Sequence, residues 1–139
     1  MNPQVVLDTS IAMSWVLPDE HQKAALRLRE QAIEKVAMHL LVPPIFWSEV
    51  TNVLTMSVRR SRITQSFAKE ALDALQHFGI AEYQVRPQES LILAMRIQLS
   101  AYDAQYLVLA KNTVAPLWTL DNRLQQAAKQ QGIRIEPES

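Results

Sequence analysis

The sequence predicts one α/β domain, residues 1–139, with a mostly parallel sheet of four or five strands between two layers of helices. Short apolar runs alternate along the whole chain with longer segments of helical periodicity. Such alternation is typical of a parallel sheet covered by helices on both faces. The chain of 139 residues also has no internal repeat, low-complexity tract or linker, and its length suits one domain with a proper core.

The first strand is predicted at Val5–Leu7, which is β-branched, continuously apolar and bounded by polar residues. The segment 11–17 has helical spacing, and Ser10 stands where a side chain caps a helix. Pro18 ends this helix because proline cannot continue the hydrogen-bond ladder. The chain therefore begins with a strand followed at once by a helix.

A longer helix is predicted from Asp19–Glu20 to about Lys35, since acids favour the first turn of a helix. The apolar run 39–42 then predicts the second strand, and Pro43–Pro44 ends it. The segment 45–60 has apolar residues at close to helical spacing. These elements continue the alternation of strands and helices.

The middle of the chain repeats the pattern. A helix is predicted over 64–78, ending before Gly79. The segment 81–85 alternates enough to form the third strand. Pro87 stands just inside the next helix, 87–99, where its missing amide hydrogen costs nothing.

The last third completes the sheet. A helix is predicted from Asp103 to Asn112, because asparagine tolerates the left-handed conformation that ends many helices. The segment 116–120 predicts a strand, 122–131 a helix and 133–135 a last short strand.

Composition excludes several classes of function. The chain contains only two glycines, whereas P-loops and dinucleotide-binding loops need several for close approach to phosphate. It contains no cysteine, which excludes disulfides, thiolate metal sites and cysteine nucleophiles. Fourteen basic and fourteen acidic residues give a net charge of zero, so a nucleic acid has to be held locally.

The sequence predicts a cytoplasmic protein without a membrane partner. No apolar stretch approaches the ~20 residues that a membrane span needs. The first residues lack the basic start and apolar segment of a secretory signal, and an acid already stands at Asp8.

Four acids far apart in sequence are predicted to meet at one edge of the sheet. Asp8 ends the first strand, and Asp121 follows the strand at 116–120. Glu49 lies in the helix that leaves the second strand, and Asp103 opens another helix. Ligand sites of open parallel sheets lie beyond the carboxyl ends of the strands, where these acids fall.

A structural alternative stays open for each acid. Aspartate is a favoured helix cap, and capping is a sufficient reason for Asp8, Asp103 or Asp121 when each is considered singly. Glu49, considered singly, is a solvated helix residue. Asp8, however, already has Thr9 and Ser10 beside it as caps. A shared site explains all four acids together.

Clustered carboxylates repel one another and take up protons unless a cation is bound. Their hard oxygens suit Mg²⁺ or Mn²⁺, and such a site activates water and stabilises the leaving oxygen of a phosphodiester.

Two other functions that use aspartates do not fit the sequence. An aspartyl-phosphate phosphatase would need an acid where Ser10 stands. A response-regulator receiver would need an aspartate at the third strand, and 81–85 has none.

Three pieces of the sequence carry a resemblance to a known family. They are VVLDTS, PPIFWSEVTNVL and YDAQYLVLAKNTVAPLWTLDNRL, and their order and spacing span essentially the whole chain. In these pieces the sequence resembles the PIN-domain family, most closely its small VapC-like ribonuclease toxins of type II toxin-antitoxin modules. The stretch NTVA, 112–115, departs from relatives that often carry a glycine at this turn.

The resemblance implies a three-layer α/β/α fold and metal-dependent endoribonuclease activity. It implies that Asp8, Asp103 and Asp121 hold the Mg²⁺ or Mn²⁺, and that Glu49 completes the cluster directly or through water. It also implies that two hydroxyls support these ligands, those of Ser10 and Thr119.

The resemblance further implies an RNA substrate, a homodimer, and a small antitoxin protein that inserts a basic side chain among the acids. The alternative is a catalytically idle PIN-like module that only binds RNA or a partner protein.

Two tryptophans could belong either to the core or to a partner surface. Trp15 and Trp47 are expected in the core, because tryptophan is mostly buried on average.

A short basic run gives a hypothesis for RNA binding. Arg59, Arg60 and Arg62 lie together at a helix end and are read as one wall of an RNA groove, with Lys111 or Arg123 on another side. The alternative is a solvated helix end whose cations favour the helix dipole.

Overall fold

The computed structural model describes residues 3–34 and 38–138, and within them five short strands form one parallel sheet. The strand order across the sheet is β3-β2-β1-β4-β5. The strands are Gln4–Leu7 (β1), His39–Val42 (β2), Ala81–Glu82 (β3), Leu117–Trp118 (β4) and Ile135–Glu136 (β5). All four neighbouring pairs are parallel, as predicted.

Helices connect the strands. They are Thr9–Val16 (α1), Lys23–Glu34 (α2), Ile45–Arg59 (α3), Gln65–Gln76 (α4), Pro87–Ile97 (α5), Ala101–Thr113 (α6) and Asn122–Gln130 (α7). Parallel crossovers are right-handed, and the chain reverses its direction across the sheet after β3. Helices α1 to α4 therefore cover one face and α5 to α7 the other, which gives the three layers. Helix α1 packs against α2, α3 and α4, and α5 packs against α6.

The core lies around the two central strands. Val6 and Leu7 of β1 are fully buried, as are Leu41 and Val42 of β2. Burial on both faces explains why these strands read as continuous apolar runs. The edge strand β3 is exposed.

The beginning of α2 differs from the prediction. Residues Pro18–Glu20 form a short 3-10 turn, and α2 begins only at Lys23. The hydroxyl of Ser14 explains the break: it donates to the carbonyl of Glu20 at 2.8 Å and accepts from the amide of Gln22 at 3.1 Å. The predicted end at Lys35 lies outside the described residues.

Two predicted helix caps are wrong. Ser10 lies inside the first turn of α1 and donates to Asp8 instead of capping the helix. Helix α6 begins at Ala101, and its cap is Ser100, whose hydroxyl accepts from the amide of Asp103 at 3.0 Å.

The end of α6 is also corrected. The helix runs past Asn112 to Thr113, and Val114 takes the left-handed conformation, with φ of 51°. A β-branched residue adopts this conformation rarely. Val114 lies in the stretch NTVA, 112–115, and its left-handed backbone makes the turn that follows α6.

The remaining elements lie where the sequence predicts them, with small shifts at their ends. The strands β3 and β4 are shorter than predicted, and β5 starts at Ile135 instead of Ile133. Trp15 is buried, with its ring centroid 4.9 Å from that of Phe78, which confirms its place in the core. Across the described ranges, every helix is too short or too polar to cross a membrane.

Candidate active site

The candidate site lies where the strand order reverses, between β1 and β4. Asp8 follows β1 directly, and the segment 119–121 follows β4. Glu49 lies in the second turn of α3, which leaves β2, and Asp103 lies in the first turn of α6. The sheet topology therefore brings all four predicted acids to the carboxyl edge, where ligands bind in this class of fold.

Asp8 is the buried member of the group, with 8% of its surface exposed. Two hydroxyls donate to its Oδ2, that of Ser10 at 2.6 Å and that of Thr119 at 2.7 Å. Burial raises the pKa of Asp8 above its ordinary value, and the two hydrogen bonds oppose the rise. The carboxylate is thus an oriented group whose charge costs free energy in this environment.

The two hydroxyls on Asp8 are themselves held by the backbone after β4. The amide of Leu120 donates to the Ser10 hydroxyl at 2.9 Å, and the amide of Asp121 donates to the Thr119 hydroxyl at 3.0 Å. Each hydroxyl therefore accepts from the chain and donates to Asp8. This network joins the end of β1 to the end of β4.

Glu49 receives two hydrogen bonds on one oxygen. Tyr106 donates to Oε1 at 2.5 Å, and Thr9 donates to the same oxygen at 3.1 Å. Partial burial raises the pKa of Glu49, and the charges of Asp8 and Asp103 raise it further, while the two hydroxyls oppose the rise. Glu49 therefore lies within electrostatic reach of two other acids of the site.

Asp103 is half-buried in the first turn of α6. Burial raises its pKa, and the charge of Asp121 adds to the rise. The hydrogen bond with Ser100 and the charge of Arg123 act in the opposite direction. Because Ser100 caps the helix, the capping explanation of Asp103 is wrong.

Asp121 is exposed and caps α7. Its Oδ1 accepts from the amide of Arg123 at 2.9 Å and from that of Leu124 at 3.4 Å. The capping explanation therefore holds for this acid. Its charge nevertheless acts on Asp103, so it also belongs to the cluster.

The four carboxylates form an electrostatic chain from Asp8 to Glu49, from Glu49 to Asp103, and from Asp103 to Asp121. A cavity of about 530 Å³ opens beside Asp121. Its walls include Thr9, Ser10, Asp19 and Leu120. Of the four acids, Asp121 belongs to the lining of this cavity, and Thr9 and Ser10 bring its wall next to Asp8 in the chain.

The chemistry of this donor set fits a hard divalent cation. All four groups offer carboxylate oxygens, and burial and neighbouring charges raise the pKa of Asp8, Glu49 and Asp103, so that a nearby cation would favour their charged forms. Within residues 3–34 and 38–138, no three His, Cys, Asp or Glu side chains are already close enough together to hold one ion. The assignment of the four acids as metal ligands therefore stays a prediction.

A comparison with known protein families decides which family has this site. A family model described as the PIN domain matches residues 5–130, which include all four acids. The chain belongs to the PIN-domain family.

Named relatives of this PIN domain are ribonucleases. VapC ribonuclease Mb0985 of Mycobacterium bovis is 28% identical over 127 residues, which cover 91% of this chain and 93% of the relative. Ribonuclease VapC3 of Pyrobaculum aerophilum is 29% identical over 125 residues, which cover 87% and 92%.

Solved structures share its fold. PAE2754 from Pyrobaculum aerophilum superposes with a TM-score of 0.76 at 18% identity, over 97% of this chain and 90% of that one. VapBC2 from Rickettsia felis, solved bound to a DNA fragment from their promoter, gives 0.70 at 13% identity, over 96% and 97%. These likenesses establish the three-layer fold of the PIN domain.

The basic run of this PIN domain is only partly free. Arg62 donates to Asp19 from Nε at 3.0 Å, and it also lies 3.8 Å from Glu20. Arg59 and Arg60 are exposed at the end of α3. That these arginines form one wall of an RNA groove stays a prediction. Asp19, which binds Arg62, lines the same cavity as Asp121.

The sequence reasoning missed two residues of the site. Thr9 and Tyr106 bind Glu49, and their hydroxyls lie 3.0 Å from each other. Thr9 stands next to Asp8, where the sequence alone predicts a helix cap. The available signal for Tyr106 was its spacing, because a residue three positions after Asp103 lies on the same side of a helix.

Proposed function

We propose that this PIN domain is a metal-dependent endoribonuclease that hydrolyses phosphodiester bonds in RNA. The observation that carries the proposal is the electrostatic chain of four carboxylates at the carboxyl edge of the sheet, of which Asp121 lines an open cavity. The names of the relatives support RNA as the substrate. The cluster needs no covalent nucleophile and no organic cofactor for this reaction.

The proposed cofactor is Mg²⁺ or Mn²⁺, held by Asp8, Asp103 and Asp121, with Glu49 as the fourth carboxylate. When bound, the ion lowers the pKa of a water molecule and stabilises charge on the oxygen that leaves phosphorus. The support for a cation lies in the donor set itself. Burial and mutual repulsion disfavour the charged state of these carboxylates, and a nearby positive charge favours it.

Residues of the chain orient the proposed metal ligands and accept the proton of the attacking water. Ser10 and Thr119 orient Asp8 through its Oδ2, and the backbone after β4 orders both hydroxyls. Glu49 is the proposed general base, which takes a proton from the attacking water. Its raised pKa suits that role, since a base works best when its pKa approaches the working pH.

The proposed RNA contacts are the basic side chains at the end of α3. Arg62 is held by Asp19, and Arg59 and Arg60 are exposed on the same end of α3. Cations at this place can pair with the phosphates of a single strand. Because the net charge of the chain is zero, such local contacts supply the grip on RNA.

We further propose that the chain is the toxin of a type II toxin-antitoxin pair, acts in the cytoplasm, forms a homodimer and is held inactive by a small antitoxin. The resemblance to VapC-like toxins supports this biological role. Expressing the chain alone in bacteria is expected to stop growth, and co-expressing its antitoxin is expected to restore growth. Light scattering on the purified chain tests the homodimer.

The direct test is RNA cleavage by the purified chain and by its Asp8→Asn variant. The wild-type chain is expected to cut RNA with Mg²⁺ or Mn²⁺ and to stop when EDTA is added. Asp8→Asn is expected to lose at least about 100-fold in rate while its circular dichroism stays unchanged, because the amide keeps the shape but not the charge. Equal cleavage by both proteins, with contaminating nuclease excluded, refutes the proposed function.

A further inference from the structure

Glu49 is fixed through only one of its two oxygens. Within the described part of the chain, the hydrogen bonds that reach this carboxylate come from Tyr106 and Thr9, and both end on Oε1. We propose that Tyr106 is a positioning residue of this nuclease: with Thr9 it locks Oε1 of Glu49 and leaves Oε2 to face the reacting groups. This inference rests on the proposed function and adds a residue to it.

Each hydroxyl has one hydrogen, and this fixes which atom donates in the contacts among Tyr106, Thr9 and Glu49. A tyrosine hydroxyl has one hydrogen, and a contact of 2.5 Å to a carboxylate oxygen uses it. In the 3.0 Å contact between Thr9 and Tyr106, the Tyr106 oxygen is therefore the acceptor. The single hydrogen of Thr9 is shared between Tyr106 and Oε1 of Glu49. The three groups form one closed arrangement that orders Glu49.

Tyr106 suits this task because its ring is packed in the core. It is fully buried, and it is the largest of the fully buried side chains of the core. Glu49, by contrast, is only half-buried on α3 and would otherwise sample several rotamers. A long, flexible carboxylate side chain thus gains one orientation from a rigid neighbour.

The same contacts connect the acids to each other. Tyr106 lies one helical turn after Asp103 on α6, and Thr9 follows Asp8 at the start of α1. Glu49 on α3 is therefore tied to both elements that carry its neighbouring acids. Loss of the Tyr106 hydroxyl is expected to disturb the relative placement of Glu49, not the core.

Burial and the neighbouring carboxylates raise the pKa of Tyr106 above its ordinary value. The hydroxyl is therefore harder to ionise than that of a free tyrosine, and the hydrogen bond itself identifies it as the donor to Glu49. A phenylalanine at this position keeps the ring and its packing but donates nothing. Tyr106→Phe is therefore the variant that isolates the hydroxyl.

The first experiment measures Mn²⁺ binding to the RNA-free protein by titration calorimetry. Removing a group that orients a metal ligand typically weakens binding 10–100-fold, so Tyr106→Phe is expected to raise the Mn²⁺ dissociation constant at least about tenfold. With RNA, kcat is expected to fall by a similar factor while KM stays within about twofold, since the RNA contacts are untouched. The matched control is Tyr83→Phe, a half-exposed tyrosine on the edge of the sheet, which is expected to equal wild type.

The second experiment asks whether Tyr106 acts through Glu49. Adding Tyr106→Phe to a Glu49→Ala variant is expected to change Mn²⁺ binding and kcat less than twofold, because the group it positions is gone. Full additivity of the two substitutions would overturn the inference. Thr9→Val, which removes the second donor, is expected to show a smaller loss of the same kind and replaces Tyr106→Phe if that variant does not fold.

The outcomes separate the two proposals. If the wild-type chain neither binds Mn²⁺ nor cuts RNA, the proposed function fails and the inference fails with it. If wild type does both and Tyr106→Phe binds Mn²⁺ and cuts RNA as wild type does, only the inference fails. A selective loss in Tyr106→Phe that vanishes in the Glu49→Ala background supports it.

Discussion

The hydroxyl of Thr119 at the end of β4 donates a 2.7 Å hydrogen bond to Oδ2 of Asp8 at the end of β1. These two strands are neighbours in space although more than one hundred residues separate them in the chain. The bond spans the point where the strand order reverses, and Thr119 is fully buried. One hydroxyl therefore connects the fold of the sheet to the orientation of the buried acid.

Replacing Thr119 by valine removes this hydroxyl at nearly constant volume. We expect the free energy of unfolding to fall by about 1–3 kcal/mol, because Asp8 loses a donor and the amide of Asp121 loses its acceptor. RNA cleavage is expected to fall as well. Urea unfolding measures the first effect, and cleavage of a defined oligonucleotide measures the second.

The control for this substitution is Thr55→Val, on the exposed side of α3. The Thr55 hydroxyl is exposed and donates to the carbonyl of Thr51, at 2.7 Å, within the same helix. Its loss is expected to change stability by less than about 0.5 kcal/mol. If Thr119→Val is as stable and active as Thr55→Val, the Thr119 bond has no part in the site.

Asp121 has two roles that substitutions can separate. Asparagine caps a helix about as well as aspartate, whereas alanine does not. Asp121→Asn is therefore expected to keep its stability and lose RNA cleavage, since only the charge is removed. Asp121→Ala is expected to lose cleavage and also about 0.5–2 kcal/mol of stability. An Asp121→Asn variant with wild-type activity would remove Asp121 from the proposed metal ligands.

The buried acids predict the pH dependence of stability in the absence of divalent ions. Folding raises the pKa of Asp8, Glu49 and Asp103 above their ordinary values of 3.8, 4.5 and 3.8. The folded state therefore binds more protons than the unfolded state, and the free energy of unfolding falls as pH rises above about 4 through the raised pKa values. Thermal melts of the metal-free protein across this range measure the slope.

The Asp8→Asn variant tests the origin of that slope. Because it lacks the most buried of the three acids, its stability is expected to fall less steeply with rising pH. Adding Mn²⁺ near neutral pH is expected to stabilise the wild-type protein more than the variant. A variant with the same slope as wild type would show that Asp8 is not the group responsible.

The basic run is tested by changing three arginines together. In an Asp8→Asn background, which prevents cleavage, replacing Arg59, Arg60 and Arg62 by glutamine is expected to weaken RNA binding. The slope of log affinity against log salt is expected to shrink by up to about 2, since each lost phosphate contact on a single strand contributes about 0.7. Filter binding at several salt concentrations measures this slope.

A control variant tests whether any loss of three positive charges weakens RNA binding. Replacing Arg27, Arg96 and Arg134, which are exposed elsewhere on the chain, removes the same charge without touching the basic run. Its salt slope is expected to change much less. If both triple variants have equal slopes, the end of α3 is not an RNA wall.

Much of the fold followed from simple patterns. The central strands β1 and β2 read as continuous apolar runs because helices cover both of their faces. The place of the acids followed from one rule, that ligand sites lie at the carboxyl edge of a parallel sheet. Asp8 comes directly after β1 and Asp121 three residues after β4, so the order of strands in the sequence was enough to bring them together.

The misses have local physical causes. Ser100 and Asp103 are both good caps, and the sequence does not reveal which of the two accepts the first amide of α6. The break before α2 depends on a hydroxyl of α1, which becomes a neighbour only after folding. Val114 takes a left-handed conformation that its side chain disfavours, so local propensity points away from it.

Tyr106 is a residue of the site that the sequence alone does not identify. It lies among Leu107, Val108 and Leu109, and a tyrosine in such a run reads as core. Its ring is indeed core, but its hydroxyl reaches Glu49, which is 57 positions away in the chain. A dual role of this kind is visible only when the two helices are seen together.

The most direct test of the central claim is anomalous diffraction from crystals of the wild-type protein grown with Mn²⁺. A single cluster of anomalous signal among the carboxylates of Asp8, Glu49, Asp103 and Asp121 is the predicted result, and it should vanish in Asp8→Asn crystals. Mn²⁺ bound at any other place, with these four groups free of it, would contradict the account.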